Sequence, residues 1–248
     1  MAWLLLLLSL AMPSAQQQQQ QQQQGHAGNP RGPQVLACVN SVAGCQGVQA
    51  ITGWDHLLDN KQSCLTARRA WWSPGEPRLS VTLVTQLSVN RLQQLRAQCH
   101  TWSGPLAAVL YLPLLNPEPG LSEAALRRVQ AAESDIEDLY VQSLSAQAST
   151  SRPGCQLRLL LVYELFETEK AAAVLFPVNS LRNLARLMAD TPLITNIDVD
   201  MLPSVSLSAS LQAAGSSATS SSGAGSHDYI QSCLSENRVY VIPAFETT

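Results

Sequence analysis

Charge is scarce in this chain: 13% of its 248 residues are Asp, Glu, Lys or Arg, against the roughly 25% of a typical soluble domain. Its 15 Lys and Arg are scattered and the formal net charge is -3, so no basic face follows a phosphate backbone, which argues against nucleic acid as a ligand. The six cysteines include no CxxC pair, which disfavours a zinc site. No GxGxxG or GxxxxGK[ST] follows an apolar run, and this removes dinucleotide-dependent dehydrogenases and P-loop NTPases. His26, His56, His100 and His227 lie far apart, with no Ser/His/Asp or Cys/His signature beside them, so hydrolase chemistry has no support.

A long apolar span is also missing. The run from Met1 to Met12 is shorter than the roughly 20 residues a spanning helix needs, and Pro13-Ser14-Ala15 supplies small residues suited to signal-peptidase cleavage. Residues 1–15 therefore read as a secretory signal, with an uncleaved membrane anchor as the alternative. Cys38, Cys45, Cys64, Cys99, Cys155 and Cys233, even in number, fit an oxidising compartment and disulfide bonding. Residues 16–34, a glutamine tract followed by Gly, Pro and Asn, have nothing to bury and form a tether. Residues 35–77 hold three cysteines and three tryptophans in a broken apolar pattern, read as a small N-terminal segment that closes at Ser73-Pro74-Gly75-Glu76-Pro77.

The main domain is expected over 78–248, as alternating strands and helices. Leu79 to Thr85 predicts a buried strand, and Asn90 to His100 a helix capped by Ser88 with Leu92, Leu95 and Cys99 on one face. Pro105 to Leu112, Cys155 to Leu165 and Pro192 to Ile197 predict further strands; Ser122 to Val141 and Asn179 to Ala189 predict helices. Ser/Ala/Gly-rich residues 204–226 are expected to be a flexible insertion, and Arg238 to Phe245 a last strand. The fold class is α/β, a mostly parallel sheet flanked by helices.

Ligands of such sheets gather at the carboxyl ends of the strands, where Asp198-Val199-Asp200 follows the apolar Leu193-to-Ile197 stretch. In extended chain the two carboxylates point to one side and can share a hard divalent cation, manganese or magnesium. Spacing alone leaves a second reading open, a solvated strand end. Four blocks in order favour the metal reading: Val81 to Ser88, Phe176 to Ala185, Ile197 to Pro203 and Val241 to Glu246. Together they resemble glycosyltransferase family 49, the LARGE-like enzymes of the dystroglycan pathway.

The resemblance covers Arg78 to Glu246. It implies a GT-A fold, metal ligation by Asp198 and Asp200, and a UDP-sugar donor, UDP-glucuronic acid in the characterised relatives. The implied reaction is an inverting, metal-dependent transfer to a glycan or glycoprotein hydroxyl in the Golgi lumen. Thr85 and Gln86 become candidate contacts to the nucleotide; the competing reading is a polar pair closing a strand. Asn179, Arg182 and Asn183, at i, i+3 and i+4 on one helix, become candidate contacts to the diphosphate or sugar, although an arginine on an amphipathic helix is most often solvated. Glu246 is a candidate general base, or an ordinary surface group. Glu164, Glu167 and Glu169 read as a solvated turn.

Family members continue past the Pro-Ala-Phe-Glu block and carry a further metal ligand, typically a histidine, and much of the acceptor pocket. The GT-A domain is accordingly expected to be incomplete at its C-terminal end, with the cation held more weakly. The alternatives are a catalytically silent secreted module that keeps the fold and binds nucleotide-sugar or glycan, and a disulfide-stabilised extracellular binding protein unrelated to glycosyl transfer.

Overall fold

A run of β-branched and apolar residues buried on both faces satisfies its backbone by pairing with a strand on each side. Val81–Ser88 (β2) does this, buried at every position but the last, with Pro105–Leu115 (β3) on one side and Leu193–Asn196 (β5) on the other. The computed structural model describes residues 65–116, 120–147 and 154–216. Its five-stranded sheet is completed by Gln156–Phe166 (β4) and Thr66–Trp72 (β1), in the order β1-β4-β3-β2-β5. Strands β4, β3, β2 and β5 run parallel, and β1 is antiparallel on the β4 edge.

Helices cover both faces. On one lie Leu92–Thr101 (α1), which follows a 3-10 turn at Val89–Arg91, and Glu123–Gln147 (α2). Helix α2 turns Ala125, Val129, Ala132, Ile136 and Leu139 inward at helical spacing, against Leu83, Leu106, Leu110, Leu157 and Leu159 of the strands. On the other face Glu169–Val174 (α3) and Val178–Leu187 (α4) place Ala171, Leu181, Leu184 and Ala185 against Val84, Val109, Leu160 and Val162. Burying each of the Val, Leu and Ile side chains among them stabilises by about 1.5–3 kcal/mol before entropy is set against it. The arrangement is α/β with a largely parallel sheet, as expected, and is consistent with the GT-A type.

Three local expectations need correction. Thr66–Trp72 lies upstream of the boundary placed near Arg78, yet it pairs with β4 from Thr66↔Tyr163 to Trp72↔Arg158 and belongs to the main sheet. Residues 205–216, assigned to a flexible insertion, form a helix, Val205–Ser216 (α5), whose Leu207 and Leu211 pack against the α1/α2 core. Ser88 does not cap the helix: its hydroxyl bonds Asn90 Oδ1 at 2.5 Å. The signal, the tether, residues 35–64, the strand at Arg238 to Phe245 and Glu246 lie outside the described residues.

Cys99 on α1 is bonded to Cys155 at the start of β4, with the Cα atoms 5.1 Å apart across 56 residues of sequence. No helix among the described residues is long and apolar enough to cross a membrane.

Candidate functional site

The strand order fixes where a ligand would find a crevice. From β2 the chain moves outward through β3 to β4, then returns past α3 and α4 to place β5 on the opposite side of β2. The β2-to-β3 and β3-to-β4 connections run over one face of the sheet and the β4-to-β5 connection over the other, so the strand order reverses at β2 and the carboxyl ends of β2 and β5 flank a topological switch point. The β2/β5 register sets Val84 opposite Asn196, and Ile197 N donates to Val84 O at 3.0 Å. The chain thus reaches Asp198 level with Gln86.

Beyond Ile197 the backbone turns. The expectation of an extended Asp198-Val199-Asp200 is corrected here: Met201 N donates to Asp198 O at 3.0 Å, which puts Val199 and Asp200 at the centre of a β-turn. Val199 sinks into the α1/α2 core, 4% exposed, and anchors the turn, while the Asp198 and Asp200 side chains stay 61% and 57% exposed. The turn is pinned from beneath by a residue that the sequence did not single out. Gln98, fully buried on α1, donates through Nε2 to both Asp198 O at 2.9 Å and Met201 O at 2.8 Å.

Each carboxylate also meets a cation of the protein. Arg182 Nη2 on α4 lies 3.3 Å from Asp198 Oδ1, which accepts a second bond from Gln86 Nε2 at 3.3 Å. Arg91, at the end of the 3-10 turn after β2, pairs with Asp200 Oδ2. Sequence reasoning missed Arg91, which is 109 residues from its partner and carries no local motif. On the two side chains that bond the Asp198 carboxylate, two buried atoms have no hydrogen-bond partner, Gln86 Oε1 and Arg182 Nε. The two side chains that bond Asp198 Oδ1 thus each keep a further polar atom that a polar ligand could satisfy.

The other expected residues divide. Thr85, one position from Gln86, points to the opposite face of β2 because side chains alternate along a strand; it is fully buried, its hydroxyl has no partner, and it lies outside the Asp198 cluster. Asn179 and Asn183 are exposed on α4 and make no side-chain hydrogen bond within the described residues. Glu246 lies outside those residues. Glu164, read as part of a solvated turn, is buried and accepts a 2.6 Å bond from Tyr111 Oη. Burial first, and then the facing Glu164, drives the Tyr111 phenol far above its ordinary range, so it stays a donor. Phe176, from the loop before α4, packs edge-on against Tyr111 with ring centroids 5.4 Å apart.

Whether the residues suit a divalent cation is a question of donor chemistry. Asp198 and Asp200 offer hard oxygen ligands, and the Gln86 amide oxygen beside them is uncommitted. Among the described residues no group of three or more His, Cys, Asp and Glu could hold a metal ion. The set fits a hard cation that takes its remaining oxygens from a ligand and water, as magnesium does with phosphates.

The comparisons with known proteins bear on the whole of this sheet. The human xylosyl- and glucuronyltransferase LARGE2 (Homo sapiens) is 33% identical over 206 residues, 78% of this chain and 22% of the relative. LARGE2 of Mus musculus is 30% identical over 181 residues, 70% of this chain and 19% of the relative, and LARGE1 of Danio rerio is 28% identical over 182, covering 71% and 18%. The chain spans about a fifth of the length of these curated relatives. A family model described as the glycosyl-transferase for dystroglycan matches residues 80–248, from the start of β2 onward and well over half of the sequence. The chain belongs to glycosyltransferase family 49.

Proposed function

We propose that this chain is a glycosyltransferase that binds a UDP-sugar at the switch point between β2 and β5 and transfers the sugar, with inversion, to a glycan hydroxyl. The observation that carries the reading is the cluster itself. Asp198 and Asp200 stand exposed on a pinned turn at the ligand-binding end of a parallel sheet, with two orphaned polar atoms on the side chains that bond Asp198. Family membership supplies the reaction class, and the relatives' names favour glucuronic acid or xylose as the transferred sugar, of which we take glucuronic acid.

In this reading Asp198 and Asp200 hold manganese or magnesium between them. Bound there, the cation supplies Lewis-acid stabilisation of the charge that grows on the departing diphosphate. The residues of the chain do the rest. Gln98 and Val199 hold the turn so that both carboxylates keep their places without a ligand to organise them. Arg182 presents a guanidinium to the diphosphate or to the sugar carboxylate, and Gln86 orients Asp198. The Cys99–Cys155 disulfide supports a luminal location in the secretory pathway, the Golgi in this reading, where disulfides persist.

Isothermal titration calorimetry tests the proposal: Mn2+ first, then UDP at saturating Mn2+, with Asp198→Ala and Asp200→Ala beside the wild type. The wild-type chain should bind UDP only with Mn2+ present, and either substitution should abolish that binding. UDP binding indifferent to both substitutions overturns the site.

A further inference from the structure

The two carboxylates are already neutralised. Arg182 sits on Asp198 and Arg91 on Asp200, so the four side chains carry no net formal charge together. A site in that state has little pull on a diphosphate. The backbone cannot relieve this by moving the carboxylates, since Gln98 bonds both ends of the turn and Val199 is buried beneath it. The arginines can move. Arg91 is 46% exposed at the end of a short turn, and its partner is 57% exposed. Ion pairs this open to solvent are weak and readily exchanged. Gln86, more than nine-tenths buried, adds an independent pointer to a ligand here, with its amide on Asp198 and its Oε1 without a partner.

We propose that Arg91 is a diphosphate-binding residue held in reserve. Without a cation it neutralises Asp200; when a divalent cation takes over that carboxylate, the guanidinium is released onto the diphosphate of the donor. The inference rests on the metal and UDP-sugar reading above and adds a residue and an order to it. Cation entry turns a neutral cluster into one with two surplus positive charges, matched to a diphosphate, and frees a forked donor suited to phosphate oxygens. Cation therefore binds before nucleotide.

The test exploits the opposite effects that Arg91 should have on the two ligands. On the full chain, Mn2+ alone and then UDP at saturating Mn2+ are titrated by calorimetry into wild type, Arg91→Gln and Arg91→Lys. Arg127→Gln serves as the control, removing another exposed arginine, paired with Glu123 on α2 and outside the site. Arg91→Gln should bind Mn2+ about two- to fivefold more tightly, because an exposed competing pair is gone. The same variant should bind UDP about tenfold more weakly, because a charge-assisted contact is lost. Arg91→Lys should fall between wild type and Arg91→Gln in UDP affinity, and Arg127→Gln should match the wild type in both titrations. A role confined to holding the loop would weaken both ligands together; that outcome, or no change in either, overturns the inference. If Arg91→Gln is indifferent while Asp198→Ala and Asp200→Ala abolish binding, only this inference falls. If the wild-type chain binds no Mn2+, the metal reading and this one fall together.

Discussion

The same chemistry, an arginine facing an aspartate, occurs at both ends of the sheet with opposite surroundings. At the amino end, Arg158 of β4 is completely buried; its Nη2 meets Asp190 at 2.6 Å, and its guanidinium lies over the Trp72 ring at 5.1 Å. At the carboxyl end, Arg91–Asp200 is about half exposed, and in Arg182–Asp198 an exposed carboxylate meets a half-buried guanidinium. Helix α4 links the two pairs, carrying Arg182 at its middle and leading into Asp190 just beyond its finish. The dry pair is committed to its partner, because a buried guanidinium without its carboxylate would be an uncompensated charge. The wet pairs can exchange partners at little cost. Burial, more than residue type, separates an ion pair that holds a fold from one that can serve a ligand.

This contrast can be broken by mutation. The largest effect should come from Asp190→Ala, which removes a carboxylate from a fully buried guanidinium and should lower unfolding free energy by about 3–5 kcal/mol in chemical denaturation. A loss below about 1 kcal/mol would show that the amino end is not held by its pair. Raising the pH should sharpen the comparison at the same end. Tyr140 there donates to Trp72 O at 2.7 Å, and burial first, with Glu137 second, pushes its phenol up to about 12. The unfolded phenol ionises near its ordinary value of 10. The Tyr140 contribution to stability is therefore intact below pH 10 and is lost as pH climbs through about 12, because the unfolded state gives up its proton first. Denaturation midpoints measured from pH 8 upward should fall across that window, and Tyr140→Phe should flatten the fall. The smallest effect on stability is expected from Arg182→Gln, under about 1 kcal/mol for a pair whose carboxylate is open to solvent. Its consequence should appear in weakened Mn2+-dependent UDP binding, and a larger stability loss without a binding defect would make the carboxyl end structural as well.

Much of this architecture can be read from the chain because apolar periodicity is a local property. Val81 to Ser88, Pro105 to Leu112 and Cys155 to Leu165 announce strands β2, β3 and β4 within a few residues of where they form. Strand β1 stays hidden because Arg68 and Arg69 interrupt its apolar pattern. They are tolerated on an edge strand, paired with Glu133 and Glu137 one turn apart on α2. Helix α5 is masked by its Ser and Ala content, and only tertiary packing of Leu207 and Leu211 selects the helix. At the site, Asp198 and Asp200 are visible as a motif, but their geometry is not, since the turn depends on Gln98, 100 residues from Asp198 in sequence. Thr85 could have been separated from Gln86 beforehand by alternation along β2, a rule that needs only the strand's register and the face buried by α4.

Gln98 and Cys99 are consecutive, so the residue that sets the shape of the Asp198 turn is next to the one that fastens α1 to β4. The chemical history of the chain thereby enters its recognition properties. A newly made, reduced chain would carry that amide on a helix held by packing alone, and oxidation of two thiols would convert the arrangement into a covalently framed one. Under the proposed function, the shaping of the donor site then follows formation of this disulfide.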